Sequence, residues 1–252
     1  MLQLPAPTLF PGAQSHNYTI RGEIAPGSFA LHWAILSSRV TLNFWRKDLV
    51  AVPDSVWVRG DVETLILADN SLTELSPRIG GLTNLRVLDL GHNQLSHLPD
   101  ATGELTGLTD FLYLHDNRLT ALPDTLARLG RLRYLNISEN RFEALPGWIG
   151  ELRALIELRA SDNSLQALPD SIGHLSQLRE LHLRNNCLRS LPESIDQLQN
   201  LRHLDLRGNP LESLPQLTAL SRLAKLDLRW VTTLAPPPWI KDLEDQGCVV
   251  YW

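Results

Sequence analysis

A small group of histidine and acidic residues has the types and spacing needed to bind a divalent metal ion. Glu180 and His182 are followed, 23 residues later, by His203 and Asp205. Imidazole nitrogens and carboxylate oxygens are ligands for Zn²⁺ and similar ions, so a fold that places the two pairs side by side would create a candidate site. The alternative is a solvated set of histidine–carboxylate pairs, which is common on repeat surfaces. We favour this alternative and predict no bound metal and no cofactor.

Sequence signatures of catalysis are absent. The chain has no nucleophile-elbow, phosphate-loop or HExxH motif. Cys187 directly follows an asparagine of the repeat described below, so we expect a packed thiol rather than a reactive one. We therefore predict no catalytic residues and expect that the protein is not an enzyme.

The offset of 23 residues belongs to a repeat that covers most of the chain. Seven asparagines recur in steps of 23 residues, with one step of 24. Around each lies the frame L-x-x-L-x-L-x-x-N-x-L, and in most copies a Leu-Pro pair, an aliphatic residue and a further leucine follow. The seven positions are Asn70, Asn93, Asn117, Asn140, Asn163, Asn186 and Asn209.

This frame predicts one short strand per repeat. In the L-x-L segment the leucines enter the core and the residues between them face solvent. Strands one repeat apart then stack in parallel at about 4.8 Å, and the asparagine side chains satisfy backbone groups where the chain turns away. The return segment, which contains the Leu-Pro pair, is wider than this spacing. We therefore predict a curved parallel β-sheet on a concave face, with short helical or irregular convex segments.

The frame resembles the 23-residue leucine-rich repeats of Ras-group and Scribble-like proteins, of Roco proteins and of bacterial type III effectors. The resemblance covers about residues 39–234 and implies an α/β repeat, a leucine-rich-repeat solenoid of about eight to nine rungs. It also implies recognition of a protein partner through the concave face. Relatives often carry a kinase, GTPase or ubiquitin-ligase domain beside the repeats.

Both ends of such a stack need caps, because an open end exposes apolar core and unpaired strand groups. We assign residues 1–38 to an N-terminal cap, residues 39–234 to the repeats and residues 235–252 to a C-terminal cap. Within the last segment we predict a short helix followed by a strand. Tyr251 and Trp252 are expected to cover the end of the core.

Two steps depart from the period. The segment from Leu108 to Leu112 is one residue longer than its counterparts, and the segment from Leu214 to Leu217 is one residue shorter. A slip of one residue inside a strand would turn its leucines outward. We therefore expect both irregularities to be absorbed outside the strands.

The outward side chains of the strands form the predicted partner-binding site. Aromatic residues that face solvent on a strand have no role in the core, and exposed Tyr and Arg often carry interface energy. The alternative for the charged positions is pairing between arginines and carboxylates of neighbouring strands, with little energy per pair. The candidate residues are Phe111, Tyr113, His115, Tyr134, Arg159, His182, Arg184, His203, Arg207 and Arg229.

Composition narrows the class of partner and the compartment. A net charge of −5 with 20% charged residues lacks the basic excess of a nucleic-acid binder. No apolar run approaches the roughly 18 residues of a membrane span. Two cysteines suit a reducing compartment, and a start without positive charge before Arg21 does not fit a signal peptide. We predict a cytoplasmic monomer that binds protein, with no nucleic acid and no membrane.

The ratio of basic residues points to a bacterial source. Lys47, Lys225 and Lys241 are the only lysines, against twenty arginines. A GC-rich genome explains this, and so does avoidance of lysine modification inside a host cell. The function that we predict is a protein–protein interaction module, as the recognition part of a bacterial signalling protein or of an effector secreted into host cells without a signal peptide. The alternatives are a self-associating scaffold and the recognition domain of a larger enzyme.

Overall fold

The repeat folds into one parallel sheet in which strand order follows sequence order. The computed structural model describes residues 40–252, which contain ten paired strands of three residues each. The predicted N-terminal cap, residues 1–38, lies outside the described residues. The strands are β1 (Thr41–Asn43), β2 (Thr64–Ile66), β3 (Val87–Asp89), β4 (Phe111–Tyr113), β5 (Tyr134–Asn136), β6 (Glu157–Arg159), β7 (Glu180–His182), β8 (His203–Asp205), β9 (Lys225–Asp227) and β10 (Val249–Tyr251).

The central residue of each strand points into the core and keeps one register along the sheet. Leu65 of β2 pairs with Leu88 of β3, and Leu181 of β7 pairs with Leu204 of β8. These four leucines are fully buried. The predicted alternation of core and solvent-facing positions is therefore confirmed, and the two outer residues of each strand are set on the opposite side from the leucines.

Short 3₁₀ helices form the return segments. Six of the seven helices begin directly after a proline. Each of these prolines has an extended backbone, so the helix cannot extend further towards the N-terminus. The prediction of short helical return segments is confirmed. The segments are η1 (Asp54–Val56), η2 (Pro77–Gly81), η3 (Asp100–Glu104), η4 (Asp124–Arg128), η5 (Gly147–Glu151), η6 (Asp170–His174) and η7 (Glu193–Gln197).

Both irregular steps are absorbed outside the strands, as predicted. Before β4, the backbone oxygen of Arg86 accepts hydrogen bonds from the N–H groups of Asp110 and Phe111, at 3.1 and 3.3 Å. The next rung bonds to Thr109 instead of Asp110, since Arg133 N donates to Thr109 O at 3.1 Å. Asp110 is thus the extra residue. Before β9, the shortened step runs through turns, and the strand pairing remains intact.

The seven asparagines form a hydrogen-bonded ladder, which we call the asparagine ladder. At Asn186, Nδ2 donates to the backbone oxygens of Ala160 in the preceding rung and of Leu183 in its own, both at 2.9 Å. Its Oδ1 accepts a hydrogen bond from Leu165 N at 3.0 Å. Equivalent bonds recur at the other six positions, which confirms the predicted role of the asparagines.

The residue before each ladder asparagine adopts a left-handed backbone. Its φ lies between +50° at Asp116 and +66° at Gly208, and six of the seven residues are not glycine. Asp and Asn tolerate this region better than most residues, and they occupy four of the six non-glycine positions. The turn directs the following asparagine back under the sheet.

The C-terminal segment closes the core with a helix and a final strand, as predicted. Helix α1 (Ile240–Asp245) buries Ile240 and Leu243, and Gly247 ends it at a φ of +95°. Strand β10 pairs with β9. The prediction for Tyr251 and Trp252 is wrong, because both remain exposed, at 41% and 46%. Tyr251 falls on an outward position of β10, so it cannot cover the core.

The two cysteines lie in different environments. Cys248 is buried beneath the C-terminal segment, where burial raises the pKa of its thiol to about 11. Cys187 is exposed, so the expectation of a packed thiol is wrong. Its backbone N–H is used in the stack, bonding Leu165 O at 2.9 Å, but the side chain points away from the core. Within residues 40–252, no helix has the length and apolar character needed to cross a membrane.

Candidate functional site

The structure places all ten predicted site residues on one surface, the strand face. We define the strand face as the outward side chains of β1 to β10 together with the residue two positions beyond each strand. It is the surface that the sequence predicts to be concave. Six of the ten residues lie in strands, and His115, Arg184, Arg207 and Arg229 lie two positions beyond one. All ten are partly buried, since neighbouring side chains cover one another.

Four of these residues form an aromatic cluster around β4 and β5. Phe111 and Tyr113 lie on β4 with ring centroids 5.9 Å apart, and Tyr134 on β5 is 5.5 Å from Phe111 and 5.0 Å from Tyr113. His115 meets Tyr113 edge to face at 6.1 Å. Burial raises the pKa of Tyr113 and of Tyr134, so both phenols stay neutral. The cluster therefore presents apolar ring surface with neutral hydrogen-bonding groups.

His115 connects the aromatic cluster to a second histidine. Its ring lies 4.7 Å from that of His92, which contacts Asp116 at 2.6 Å from Nδ1 to Oδ2. Burial lowers the pKa of His115 to about 4, and the charge of His92 acts in the same direction. His115 is thus uncharged at neutral pH. A side chain at Gly91 would collide with its ring, so glycine leaves room for the imidazole.

The four candidate arginines are paired with carboxylates, but three of them form their hydrogen bonds within their own rung and not between neighbouring strands, which the alternative for the charged positions proposed. Arg159 donates to Glu157 of its own strand, and Arg184 donates to Asp162 of the preceding rung at 2.9 Å. Arg207 binds Asp205 with Nε and Nη2, and Arg229 binds Asp227 in the same bidentate way. We call the residues that form these pairs the ion-pair band: Glu157, Arg159, Asp162, Arg184, Asp205, Arg207, Asp227 and Arg229.

Two carboxylates of the band are almost completely buried. Asp205 is 2% exposed and Asp227 is 0% exposed, because the guanidinium groups of Arg207 and Arg229 cover them. Burial alone would raise the pKa of each carboxyl group, but the hydrogen bonds and the positive charges of the arginines together outweigh it, and the pKa of both is lowered. Both remain ionised at neutral pH.

The two candidate histidines lie next to each other on adjacent strands. The rings of His182 and His203 are 4.9 Å apart in an edge-to-face arrangement. Glu180 lies beside both histidines. Its backbone is in register with His203 across β7 and β8, and its Oε2 is 3.1 Å from His182 Nε2. Asp205, the fourth member of the sequence-based group, is committed to Arg207 instead. The structure thus brings three of those four residues together.

Two aromatic residues on this side of the molecule were missed in the sequence. Tyr251 aligns with Asp227 in the sheet, and the cationic groups of Lys225 and Arg229 lie 5.3 and 5.4 Å from its ring centre. Trp230 is 65% exposed and adopts a φ of +65°. The sequence contained signals for both positions. Val250 aligns with the inward leucines of the other strands, so the next residue, Tyr251, must point outward. Trp230 occupies the left-handed turn position of its rung.

Family models for a repeat match most of the strand region. Residues 110–165 and 153–211 match a family described as leucine rich repeat. Residues 62–100 match a second one, described as leucine rich repeats in two copies. Together they cover more than half of the 252 residues. The matched segments contain β2 to β8 and all seven asparagines of the ladder.

Solved structures with the same architecture come from bacteria and plants. A leucine-rich-repeat protein of Leptospira interrogans is 26% identical with a TM-score of 0.65, covering 92% of this chain and 70% of that one. The repeat domain of the type III effector XopL is 25% identical with a TM-score of 0.69, covering 89% and 79%. Each of these two matches covers more than two thirds of the solved bacterial chain.

A plant receptor supplies an example with a bound partner. The ectodomain of the receptor kinase GASSHO1/SCHENGEN3 from Arabidopsis thaliana was solved in complex with CASPARIAN STRIP INTEGRITY FACTOR 2. It is 26% identical with a TM-score of 0.60, and the match covers 77% of this chain but only 27% of that one. This chain therefore spans about a quarter of the receptor ectodomain. The repeat architecture supports binding of protein partners.

Proposed function

We propose, from the premise that this chain belongs to the leucine-rich-repeat proteins, that it is a protein-binding module whose partner docks on the strand face. The proposal depends on one observation. Between β4 and β5 the strand face carries an aromatic cluster on the side of the sheet opposite the leucine core. Aromatic side chains bring large contact area with few rotatable bonds, so they are favoured as anchors of interfaces.

The ion-pair band sets the limits of the expected contact. Its arginines already satisfy buried carboxylates, so recruiting them to a partner would leave those carboxylates unpaired. We therefore expect Tyr134 and His115 to contribute more binding energy than Arg207 and Arg229. The arginines provide a polar rim that orients the partner and excludes water.

The experiment is affinity capture with two alanine variants, one on the strand face and one on the return side of the stack. Tyr134→Ala removes one ring of the aromatic cluster, and Arg153→Ala removes an exposed side chain of the return side. Within residues 40–252 the Arg153 side chain makes only a solvent-exposed pair with Glu151, so we expect its loss to leave the fold unchanged. Proteins captured by the wild-type chain are identified by mass spectrometry, and each is then titrated as a purified protein.

The expected result is a partner whose affinity falls at least tenfold with Tyr134→Ala and not with Arg153→Ala. A partner that binds both variants as tightly as the wild type would exclude the aromatic cluster as its site. Circular dichroism on each variant separates loss of contact from loss of fold.

We further propose that the chain acts as the recognition part of a bacterial effector that enters host cells. The likeness to the XopL repeat domain, at 25% identity over 89% of this chain, supports this candidate. A translocation assay tests it with a reporter fused to residues 1–40. Delivery of the reporter into host cells is the expected outcome, and a reporter retained in the bacterium would favour a cytoplasmic signalling role.

Self-association is the remaining alternative to partner binding. Strand β10 borders the sheet at its C-terminal edge, and Val249 on that strand is 52% exposed. We propose that the chain is nevertheless a monomer, since the strand is only three residues long and charged residues precede it. Light scattering at several concentrations is expected to give the mass of one chain, and a dimer would support the scaffold alternative.

A further inference from the structure

We propose that Glu180, His182 and His203 form a binding site for one Zn²⁺ ion on the strand face. This inference goes beyond protein binding and departs from the preference drawn from the sequence. One ligand atom from each residue lies within 4.8 Å of the other two. Two imidazole nitrogens and a carboxylate oxygen are a donor set that zinc sites use, with a fourth position left for water.

Strand register is what brings the three side chains together. Glu180 and His182 are two residues apart on β7, so both point outward, and His203 on β8 lies directly opposite Glu180. Adjacent parallel strands are about 4.8 Å apart, and alternate residues of one strand are about 6.6 Å apart. The three backbone positions therefore form a compact triangle, and all three side chains rise from it on the same side.

The spacing of the ligand atoms is close to what the ion requires. A tetrahedral zinc ion with bonds of about 2.0–2.1 Å separates its ligand atoms by about 3.3 Å. His182 Nε2 and Glu180 Oε2 are 3.1 Å apart, which is already at that separation. The ring of His203 on β8 would have to approach the other two ligand atoms through a change in its side-chain torsion angles, starting from a separation of at most 4.8 Å.

An unsatisfied nitrogen points to a missing ligand at this place. Among the described residues, His203 Nε2 is buried and has no hydrogen-bond partner. A buried polar atom without a partner carries a desolvation cost of about 1–3 kcal/mol. Coordination of a metal ion would remove that cost. The alternative of solvated histidine–carboxylate pairs predicts instead a nitrogen that is exposed to water, and His203 Nε2 is buried.

Protonation states also suit metal binding. Burial lowers the pKa of His203 to about 4, with the charges of His182 and Lys225 acting in the same direction. The hydrogen bond to His182 lowers the pKa of Glu180. At neutral pH the ring on β8 is therefore neutral and the carboxyl group is ionised, and these are the forms that bind a metal ion.

The surrounding charges restrict the site to three protein ligands. Glu157 Oε1 is 3.8 Å from His182 Nε2, but it is engaged by Arg159. Asp205, next to His182 in the sheet, is held by Arg207. The two carboxylates act as neighbours that offset the positive charge of the ion. Lys225, opposite His203 on β9, opposes it and pairs with Asp227 at 3.7 Å.

The test uses the full chain without an affinity tag, stripped with chelator and dialysed against ZnCl₂. Metal analysis gives the stoichiometry, and calorimetric titration with Zn²⁺ gives the affinity. The variants are His203→Ala, His182→Ala and Glu180→Gln. The controls are His97→Ala, an exposed histidine elsewhere, and His92→Ala, which belongs to the other histidine pair of the strand face.

The expected result is one zinc ion per chain, with the dissociation constant raised at least about tenfold by each of the three variants and unchanged in both controls. Loss of mere outer-shell partners already costs about 10–100-fold in metal affinity, so loss of a ligand must reach that range. Zinc is also expected to raise the Tm of the wild type and not of His203→Ala. A wild type without stoichiometric zinc, or ligand variants that bind as the wild type does, would overturn the proposal.

Discussion

The interior of the stack and the strand face follow opposite rules. Each rung of the asparagine ladder has the same residue with the same set of bonds, and the leucine behind each strand is interchangeable with the next. On the strand face the set of side chains changes from rung to rung, although single positions repeat, as Asp205 and Asp227 do. Residues that close the stack are constrained by a neighbour on each side, whereas outward residues only need to be soluble. The contrast supports the proposal that a partner is recognised by the face whose residues the repeat does not prescribe.

The largest effect is expected from breaking the ladder itself. Asn186→Ala leaves the N–H group of Leu165 buried without its acceptor and removes donors to two backbone oxygens. Each lost contact of this kind costs about 1–3 kcal/mol, so we expect the free energy of unfolding to fall by about 3 kcal/mol. Urea denaturation measures it.

The matched control is Asn84→Ala, an exposed asparagine that donates to Gly60 O at 2.7 Å. Its loss is expected to cost under about 1 kcal/mol, because water replaces the partner. If both variants lowered the free energy of unfolding equally, the ladder bonds would stabilise the fold no more than a surface hydrogen bond does, and the prediction would be wrong.

An intermediate effect is expected from the ion-pair band, which lies on the strand face but shields buried charge. Arg207→Ala leaves the carboxylate of Asp205, which is only 2% exposed, without the guanidinium that binds both of its oxygens. We expect a loss of about 2 kcal/mol in the free energy of unfolding, reduced from the value for a fully buried pair because Arg207 is partly exposed. Arg189→Ala, which breaks an exposed pair with Glu212, is expected to cost a few tenths of that at most.

The smallest effect concerns the pH dependence of the aromatic cluster. The pKa of His115 in the folded chain is about 4, below its ordinary value of 6.5. The unfolded chain therefore binds the proton first, so the stabilisation is complete above pH 6.5 and is lost as the pH falls towards 4. We expect His115→Gln to flatten the fall in Tm over this range. The difference between 6.5 and 4 sets an upper limit of about 3 kcal/mol on the stability change, and we expect about 1 kcal/mol because the ring is partly exposed and screened by solvent.

Two precautions isolate the contribution of His115. Burial raises the pKa of Asp89 to about 6, which stabilises the fold as the pH falls through that value and partly offsets the histidine. The comparison is therefore between variant and wild type at each pH, in the presence of chelator. His97→Gln, an exposed control, is expected to leave the profile unchanged, and an identical profile for His115→Gln would contradict its lowered pKa.

The sequence was sufficient for features that depend on the backbone. A period of 23 residues determines which leucines turn inward, and therefore it also determines that Phe111, Tyr134 and His203 share a face. The extra residue before β4 could be located for the same reason, because a slip inside the strand would have exposed Leu112. Distances along the sheet follow from register, so the neighbours of each candidate were predictable.

Features that depend on torsion angles of side chains were not predictable in the same way. Register does not specify which carboxylate Arg184 binds, and only its side-chain conformation selects Asp162 of the preceding rung. The burial of Asp227 beneath Arg229 and the contact of Arg229 with the ring of Tyr251 likewise depend on how long side chains fold over the sheet. Cys187 was misjudged, because the residue after a ladder asparagine is a variable, outward position of the frame, occupied by Gln94 and Arg118 in other rungs.

The reach of the asparagine side chains has a consequence for how the molecule comes apart. These bonds lie within one rung or join adjacent rungs, so none of them connects distant parts of the stack. Val231 stands where the next asparagine would be after Asn209, which leaves the last turn without that connection. Hydrogen exchange should therefore proceed inward from the C-terminal end, with amide protection rising turn by turn towards the centre, as in a zipper that opens from its unfastened end.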